Sequence, residues 1–207
     1  MNDNKKITMN NLLVKENFDS ENLWKKFQLL SKTEIRTLSK GLEWTVINMP
    51  NALLIGGTAT VNYISGDREL TPDLDFMVTA IELVKTKLNQ IDIKYQDLYG
   101  NTGSLGIVVP DINVDFLDSN VGNIMLNKLI MDNPNVVTIG GYQVKVVNPE
   151  LLAILKFELG RDRDLNDALL LLSSGACDKN EYISYVNQLK GTLQDYDSIC
   201  NYQELIK

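Results

Sequence analysis

Short apolar runs bounded by glycine, proline or polar residues recur through the first part of the chain, at lengths typical of buried strands. These runs predict strands at 52–57, 73–78, 91–99, 105–109, 112–117, 135–139 and 142–147. The last four form two predicted hairpins, because Pro110–Asp111 separates the first pair and Gly140–Gly141 the second. Residues 101–104 give a turn signal, and the polar residues 1–19 predict a loose arm or edge segment.

Amphipathic stretches with a helical period lie between the strands and dominate the chain from about residue 148. Ser20 can cap a helical segment that extends to residue 43, with a break near Ser31–Lys32. Asn148, Pro149 and Gly160 mark the cap, the first position and the end of a later helix. Further helices are predicted at 58–65, 80–90, 120–131, 162–175, 178–190 and 193–205. The pattern predicts an α/β (α+β) domain over residues 1–147, with an N-terminal helical segment, and a C-terminal helical region over residues 148–207.

The composition is that of an ordinary globular protein, with 44% hydrophobic and 23% charged residues. The net charge of −7 opposes non-specific binding to nucleic acid, and it leaves room for a local basic patch. The chain has no histidine, which excludes histidine-activated nucleophiles and histidine-ligated zinc. It has only two cysteines, no signal-peptide core and no apolar run of membrane-spanning length, so we expect a cytoplasmic protein without a membrane partner.

Three aspartates supply the first candidate chemistry. In a strand, Asp73 and Asp75 project to one face, while Leu74 between them projects to the other. Asp115 interrupts another apolar strand in the same way. If the two strands are neighbours, three carboxylates meet, and clustered carboxylate oxygens are ligands that suit Mg²⁺.

A glycine pair provides the second candidate. Gly56, Gly57 and Thr58 lie where the first strand passes into a helix. Glycine lets the backbone approach a phosphate closely, the helix N-terminus offers free N–H groups, and Thr58 adds a hydroxyl. A glycine pair at a strand end is more often only a turn, and no P-loop sequence follows this one.

Together these residues resemble the motifs of the DNA-polymerase-β-type nucleotidyltransferase superfamily. In that pattern a Gly-Gly or Gly-Ser pair precedes an acid-x-acid strand, and a third acid lies on a later strand. The matching residues are Gly56, Gly57, Thr58, Arg68, Thr71, Asp73, Asp75 and Asp115. The spacing is slightly long, with the extra residues in the 65–71 loop. The resemblance covers about residues 50–175 and implies a nucleotidyltransferase-like mixed sheet flanked by helices.

The helical tail is most similar to the subgroup of AbiEii-type toxins and antibiotic nucleotidyltransferases. That subgroup has a helical lysine followed by an Arg-x-Lys-Asp-x-x-Asp run. The matching residues are Lys156, Arg161, Arg163, Asp164 and Asp167, with arginine in place of the second lysine. The resemblance implies that Lys156 and Arg163 contact phosphate and that the two acids hold the cations in place. Without it, Lys156 is better interpreted as a surface lysine whose stem lies on apolar neighbours.

The resemblance implies transfer of a nucleoside monophosphate from a triphosphate (ATP, CTP or GTP) to a hydroxyl, with release of pyrophosphate. Asp73, Asp75 and Asp115 would hold two Mg²⁺ ions, and Asp115 would help to deprotonate the acceptor. Gly57 and Thr58 would bind the phosphates. Arg68 is equally compatible with phosphate contact and with a solvated loop.

Several acceptors and one different class of function stay open. RNA, a small cationic molecule such as an antibiotic, and a protein hydroxyl are the candidate acceptors. RNA would need a basic surface, and only the 20–43 helix offers one; we interpret its charges as a solvated face. The alternative is a non-catalytic module of the same fold that binds a nucleotide or a partner, for instance as one component of a toxin–antitoxin pair.

Overall fold

The computed structural model describes residues 14–64, 68–98 and 106–206, so the predicted turn at 101–104 and most of the predicted arm lie outside it. The strands of these ranges are β1 (Leu53–Ile55), β2 (Leu74–Val78), β3 (Gln96–Asp97), β4 (Gly106–Val109), β5 (Val114–Asp118), β6 (Pro134–Ile139) and β7 (Tyr142–Val147). The helices are α1 (Glu21–Phe27), α2 (Lys32–Asn48), α3 (Gly56–Tyr63), α4 (Ile81–Gln90), α5 (Ile124–Asp132), α6 (Pro149–Leu159), α7 (Asp162–Ser173), α8 (Lys179–Gln188) and α9 (Tyr196–Asn201). Short 3-10 helices occupy Lys15–Asn17, Pro110–Ile112 and Tyr202–Leu205.

The strands form one mixed sheet in the order β3–β4–β5–β2–β1–β7–β6. β2 is parallel to β5 and antiparallel to β1, and β1 is parallel to β7. The two predicted hairpins are the antiparallel pairs β4–β5 and β6–β7. Gly140 and Gly141 turn the second hairpin with φ of 60° and 85°, the left-handed conformations that favour glycine in a two-residue turn. The predicted α/β fold class is confirmed.

Helix α2 covers one face of this sheet. Gly41 approaches the strands so closely that a Cβ there would lie 2.4 Å from the carbonyl oxygen of Ile112 and 2.6 Å from Cγ2 of Val114. One helical turn further on, the ring of Trp44 meets the ring of Phe116 edge-on, with centroids 5.8 Å apart. The helix therefore packs on the side to which Val114 and Phe116 project.

Helices α3, α6 and α7 pack on one another and, through α3, against β2. The predicted signals of α6 are confirmed, because the Asn148 side chain accepts the N–H of Leu151 and Gly160 ends the helix with φ of 64°. Leu151, Leu152, Ala153 and Ile154 of α6 are fully buried. Within the described ranges, no helix combines the length and the apolar character needed to cross a membrane.

Four predicted elements are shorter in the structure. The strand predicted at 52–57 is reduced to β1, because Gly56 and Gly57 form the first positions of α3. The strand predicted at 91–99 is reduced to β3, because Asp92 turns the chain after α4 with φ of 55° and the alternating Ile93 and Tyr95 pack on the core outside the sheet. The helix predicted from residue 120 begins at Ile124, where Asn123 caps it by accepting the N–H of Leu126. The last predicted helix, 193–205, divides into α9 and a 3-10 helix.

Candidate functional site

Asp73, Asp75 and Asp115 are neighbours at the end of the sheet where β2 and β5 begin. The register of these parallel strands places Asp75 directly beside Asp115. Leu74 and Val114, which are paired one position earlier, are buried in the core. The carboxylates project to the opposite face, away from α2. The three acids thus meet in the way that their motif predicts, and their chemical role stays a prediction.

Asn113 ties the beginnings of the two strands together. It adopts a left-handed conformation with φ of 53°, and its Nδ2 donates to the carbonyl oxygen of Pro72. Its own carbonyl oxygen accepts the N–H of Leu74 at 3.1 Å. The sequence pattern does not single out Asn113, although asparagine in a turn directly before an acidic strand is a known signal for this conformation.

Gly56 leaves the space that the Asp75 carboxylate occupies. A Cβ at position 56 would lie 2.0 Å from Oδ2 of Asp75, and the φ of +71° is itself strained for other residues. The N–H of Gly57, in the first turn of α3, donates to the same carboxylate. The glycine pair therefore does more than turn the chain, because it allows the N-terminus of α3 to face Asp75.

Crowding of the acids changes their ionisation. Burial raises the pKa of Asp75 to about 7, and the charges of Asp73 and Asp115 act in the same direction. Lys156 and the N–H of Gly57 oppose this rise. Burial, together with the charge of Asp73, raises the pKa of Asp115 to about 6. Asp73 therefore disfavours the ionised form of both Asp75 and Asp115, and Asp115 disfavours that of Asp75.

The Thr58 hydroxyl has a hydrogen-bond partner within the protein. Thr58 is buried, and its Oγ1 donates to the main-chain carbonyl oxygen of Asp73 at 3.1 Å. Its proton thus ties α3 to the residue before β2, and a contact of Thr58 with phosphate stays a prediction. Thr71 and Arg68 lie in the same corner, since a Cβ added to Gly57 would be 2.9 Å from Oγ1 of Thr71 and 3.1 Å from Nη2 of Arg68.

A network of five charged side chains joins α6, α7 and the segment before β2. Nζ of Lys156 lies 2.6 Å from Oδ1 of Asp164 and 3.0 Å from Oδ2 of Asp167. Arg68 donates to both carboxylate oxygens of Asp167, at 2.8 and 2.9 Å. Nε of Arg161 lies 2.5 Å from Oδ2 of Asp164. The two acids hold the cations, as the sequence predicts for this segment.

Burial makes this network different from a surface ion pair. The side chains of Lys156, Asp164 and Asp167 are 6%, 3% and 2% exposed. Burial alone would raise the pKa of Asp167, but the hydrogen bond from Arg68 and the charge of Lys156 hold that pKa below its ordinary value. Such pairs are costly to break, because a partner left alone is a buried charge.

The network shows where Lys156 and Arg68, two of the predicted phosphate-binding cations, lie. Lys156 is buried, so the interpretation as a surface lysine is wrong, and its charge lowers the pKa of Asp75. Arg68 is paired with Asp167 and is therefore not a solvated loop residue. Arg163 is exposed on α7, and its contact with phosphate stays a prediction.

Asp73, Asp75 and Asp115 together form the acidic corner of the molecule. Their carboxylate oxygens are ligands that suit a hard divalent cation. Oδ1 of Asp73 is buried and has no hydrogen-bond partner within the described structure, whereas a buried carboxylate oxygen ordinarily has one. Oxygen ligands of this kind suit Mg²⁺. As the side chains stand, no three acidic or cysteine side chains of the described ranges are arranged to hold one ion. The carboxylate of Asp75 lies against Gly56 and accepts the N–H of Gly57.

A mixed sheet that brings three aspartates together beside a helix begun by two glycines is the architecture of a nucleotidyltransferase-like protein. The chain belongs to the family described as nucleotidyl transferase of unknown function (DUF2204), whose model matches residues 32–203. Membership of this family supports assignment to the nucleotidyltransferase superfamily. It does not support assignment to the AbiEii-type subgroup.

A solved structure is also similar to this chain. It is that of an antigenic nucleotidyltransferase-like protein from Paracoccidioides brasiliensis, with 15% identity, coverage of 84% of this chain and 92% of that chain, and a TM-score of 0.46. No curated protein matches the chain.

Proposed function

We propose that this protein is a Mg²⁺-dependent nucleotidyltransferase, which moves a nucleoside monophosphate from a triphosphate to a hydroxyl acceptor and releases pyrophosphate. The observation that carries the proposal is the parallel register of β2 and β5, which sets Asp75 beside Asp115 and both near Asp73. The raised pKa values of Asp75 and Asp115 support it, because burial and the neighbouring carboxylates disfavour the ionised forms, which a bound cation would favour.

In this proposal Asp73, Asp75 and Asp115 are the metal ligands. A bound Mg²⁺ pair would neutralise the phosphates and stabilise the attacking and leaving oxygens. Asp115 would also accept the proton of the acceptor hydroxyl, because it is less buried than Asp75, its neighbour in the sheet.

Metal and phosphate would bind cooperatively at the start of α3. The N–H of Gly57 donates to Asp75 in the structure, and the same N–H is the group expected to donate to a phosphate. If Asp75 turned to become a metal ligand, its carboxylate would leave the N–H of Gly57 free. Gly56 would be needed for this exchange of Asp75 for phosphate, because only glycine leaves room for the Asp75 carboxylate in its present position.

The buried network would supply positive charge on the other side of the site. Lys156, Arg68 and Arg161 carry three positive charges against the two negative charges of Asp164 and Asp167. Arg161 is largely exposed, whereas Lys156 is buried and its charge acts on Asp75. A fixed cation beside the aspartates favours a triphosphate and the pyrophosphate that leaves it. The same arrangement supports, as a proposal, assignment to the AbiEii-type subgroup.

The experiment is to incubate the protein with Mg²⁺, each α-phosphate-labelled triphosphate and each class of acceptor, while pyrophosphate release is measured. Transfer of label should occur and should be lost in Asp115→Asn. Asp111→Asn is the matched control, since it removes the same charge from an exposed position in the same hairpin. Labelling without metal, or undiminished transfer in Asp115→Asn, would refute the assigned site.

The alternative is a non-catalytic module that binds a nucleotide or a partner such as an antitoxin. It is favoured by one observation, that the acids of the described ranges are not arranged to hold an ion as they stand. The two functions separate in the same assay, because a binding module would show triphosphate affinity in calorimetry and no pyrophosphate release with any acceptor.

A further inference from the structure

Three basic residues form an exposed row on a protein that is acidic as a whole. Lys32, Arg36 and Lys40 follow one another at four-residue spacing on α2, so they share one side of the helix. With a rise of about 1.5 Å per residue, consecutive charges are about 6 Å apart along the axis. We call these three residues the basic row.

The acids on α2 near the basic row form no salt bridge with it in the described ranges. Glu34 is the one acid between Lys32 and Lys40, and its carboxylate accepts the N–H of Ser31 at 2.7 Å in a capping box. Within the described ranges no residue of the basic row is in a salt bridge, whereas Lys25 on α1 pairs with Glu21. The cations of the row are therefore not paired in salt bridges within the described ranges, and Glu43 is the one further acid of α2, three residues after Lys40.

The surface along the row is concave. A hollow of about 440 Å³ is lined by Lys32, Thr33, Arg36, Thr37 and Lys40. It lies on α2 and not at the aspartates. Its described lining consists of cations and hydroxyl-bearing side chains, which are donors suited to phosphate oxygens.

The direction of α2 relates the row to the acidic corner. Gly41 lies over Val114 at the start of β5, and Trp44 lies over Phe116 further along the strand. The helix therefore runs in the same direction as β5. Its first half, which carries the basic row, extends beyond the end of the sheet at which Asp115 lies.

We propose that the basic row binds the phosphate backbone of a single strand of RNA. A line of cations about 6 Å apart is matched to a single backbone that tracks along it. An anionic membrane surface is a poorer fit, because the described lining has no apolar side chain to insert. An RNA end also carries hydroxyls, so a strand that passes the edge of the sheet could present an acceptor to Asp115. Only this acceptor role rests on the proposed function.

The test is fluorescence anisotropy with a short, unstructured, labelled RNA in the absence of triphosphate. If three phosphates are neutralised, the logarithmic salt slope is about −2, which weakens binding about 20-fold between about 50 and 200 mM salt. The triple variant K32Q/R36Q/K40Q should lose most of this binding and most of the salt dependence. The triple variant K87Q/K94Q/K128Q makes the same charge change at other elements and should bind as the wild type does.

Each alternative result has a definite meaning. Equal weakening in both triple variants would show that net charge alone controls binding and would overturn the proposal. Undiminished binding in K32Q/R36Q/K40Q, absence of RNA binding by the wild type, or tighter binding to anionic phosphatidylserine vesicles through the same residues would also overturn it. Because binding is measured without transfer, a failed transfer assay leaves this result unaffected and refutes only the proposed function.

Discussion

Replacing Asp75 by asparagine should flatten the pH dependence of stability of the metal-free protein. Burial and the neighbouring charges raise the pKa of Asp75 to about 7 in the folded state, against 3.8 for an unperturbed aspartate. Below the lower value both folded and unfolded states are protonated, and the group has no effect on stability. As the pH rises, the unfolded state loses its proton first, so this carboxyl lowers the free energy of unfolding between about pH 4 and pH 7.

The magnitude follows from the difference between the two pKa values. A difference of about three units corresponds to about 4 kcal/mol above the folded pKa, as an upper bound. About half of this cost is already present at pH 5.5, so the remaining loss between about pH 5.5 and 8.5 is about 2 kcal/mol. For a chain of this length that loss corresponds to about 4–8 °C in Tm.

Asparagine isolates the charge because it has nearly the same shape and its Oδ1 can still accept the N–H of Gly57. The Tm of Asp75→Asn minus that of the wild type should therefore increase by about 4–8 °C from about pH 5.5 to 8.5. Any lost contact is independent of pH and cancels in this difference. Asp115, whose pKa is also raised, is present in both proteins.

The assay is differential scanning fluorimetry in EDTA, which removes the proposed metal from the comparison. Asp111→Asn serves as the exposed control and should follow the wild-type curve at every pH. Parallel curves for wild type and Asp75→Asn would refute the reasoning, because they would mean that Asp75 is not held in a buried, negatively charged environment.

Three further predictions follow from the same corner of the molecule. Gly56→Ala should lower the free energy of unfolding in urea by about 2 kcal/mol more than Gly191→Ala, because both have positive φ but only at position 56 does the added Cβ collide with a carboxylate; equal losses would contradict this. Lys156→Met should destabilise the fold by about 3–5 kcal/mol, since it leaves two buried carboxylates without their shared partner, and a surface lysine would show no such loss in chemical denaturation. Asp73→Asn combined with Asp75→Asn should abolish metal-dependent triphosphate binding in calorimetry with little loss of Tm, because repulsion between the acids is relieved; unchanged affinity would show that the site is elsewhere.

Local pattern was sufficient for most of the secondary structure and for part of the site. Alternation along β2 placed Asp73 and Asp75 on one face because side chains of a strand point alternately up and down. Caps at Ser20 and Asn148, and the glycine at 160, marked helix ends because they act through backbone groups only a few residues away. These signals are short in range, so they are present in the sequence itself.

The tertiary structure decided what depends on residues far apart in the chain. The parallel pairing of β2 with β5 is a long-range contact, and it alone makes Asp75 and Asp115 neighbours. The role of Lys156 depended on the return of α7 across α6, which buries it between two acids. The Thr58 hydroxyl was assigned to a phosphate from its position after two glycines, but the distance to the Asp73 carbonyl gives it a structural partner. No local pattern encodes these partners, because burial and pairing arise only when separate segments pack together.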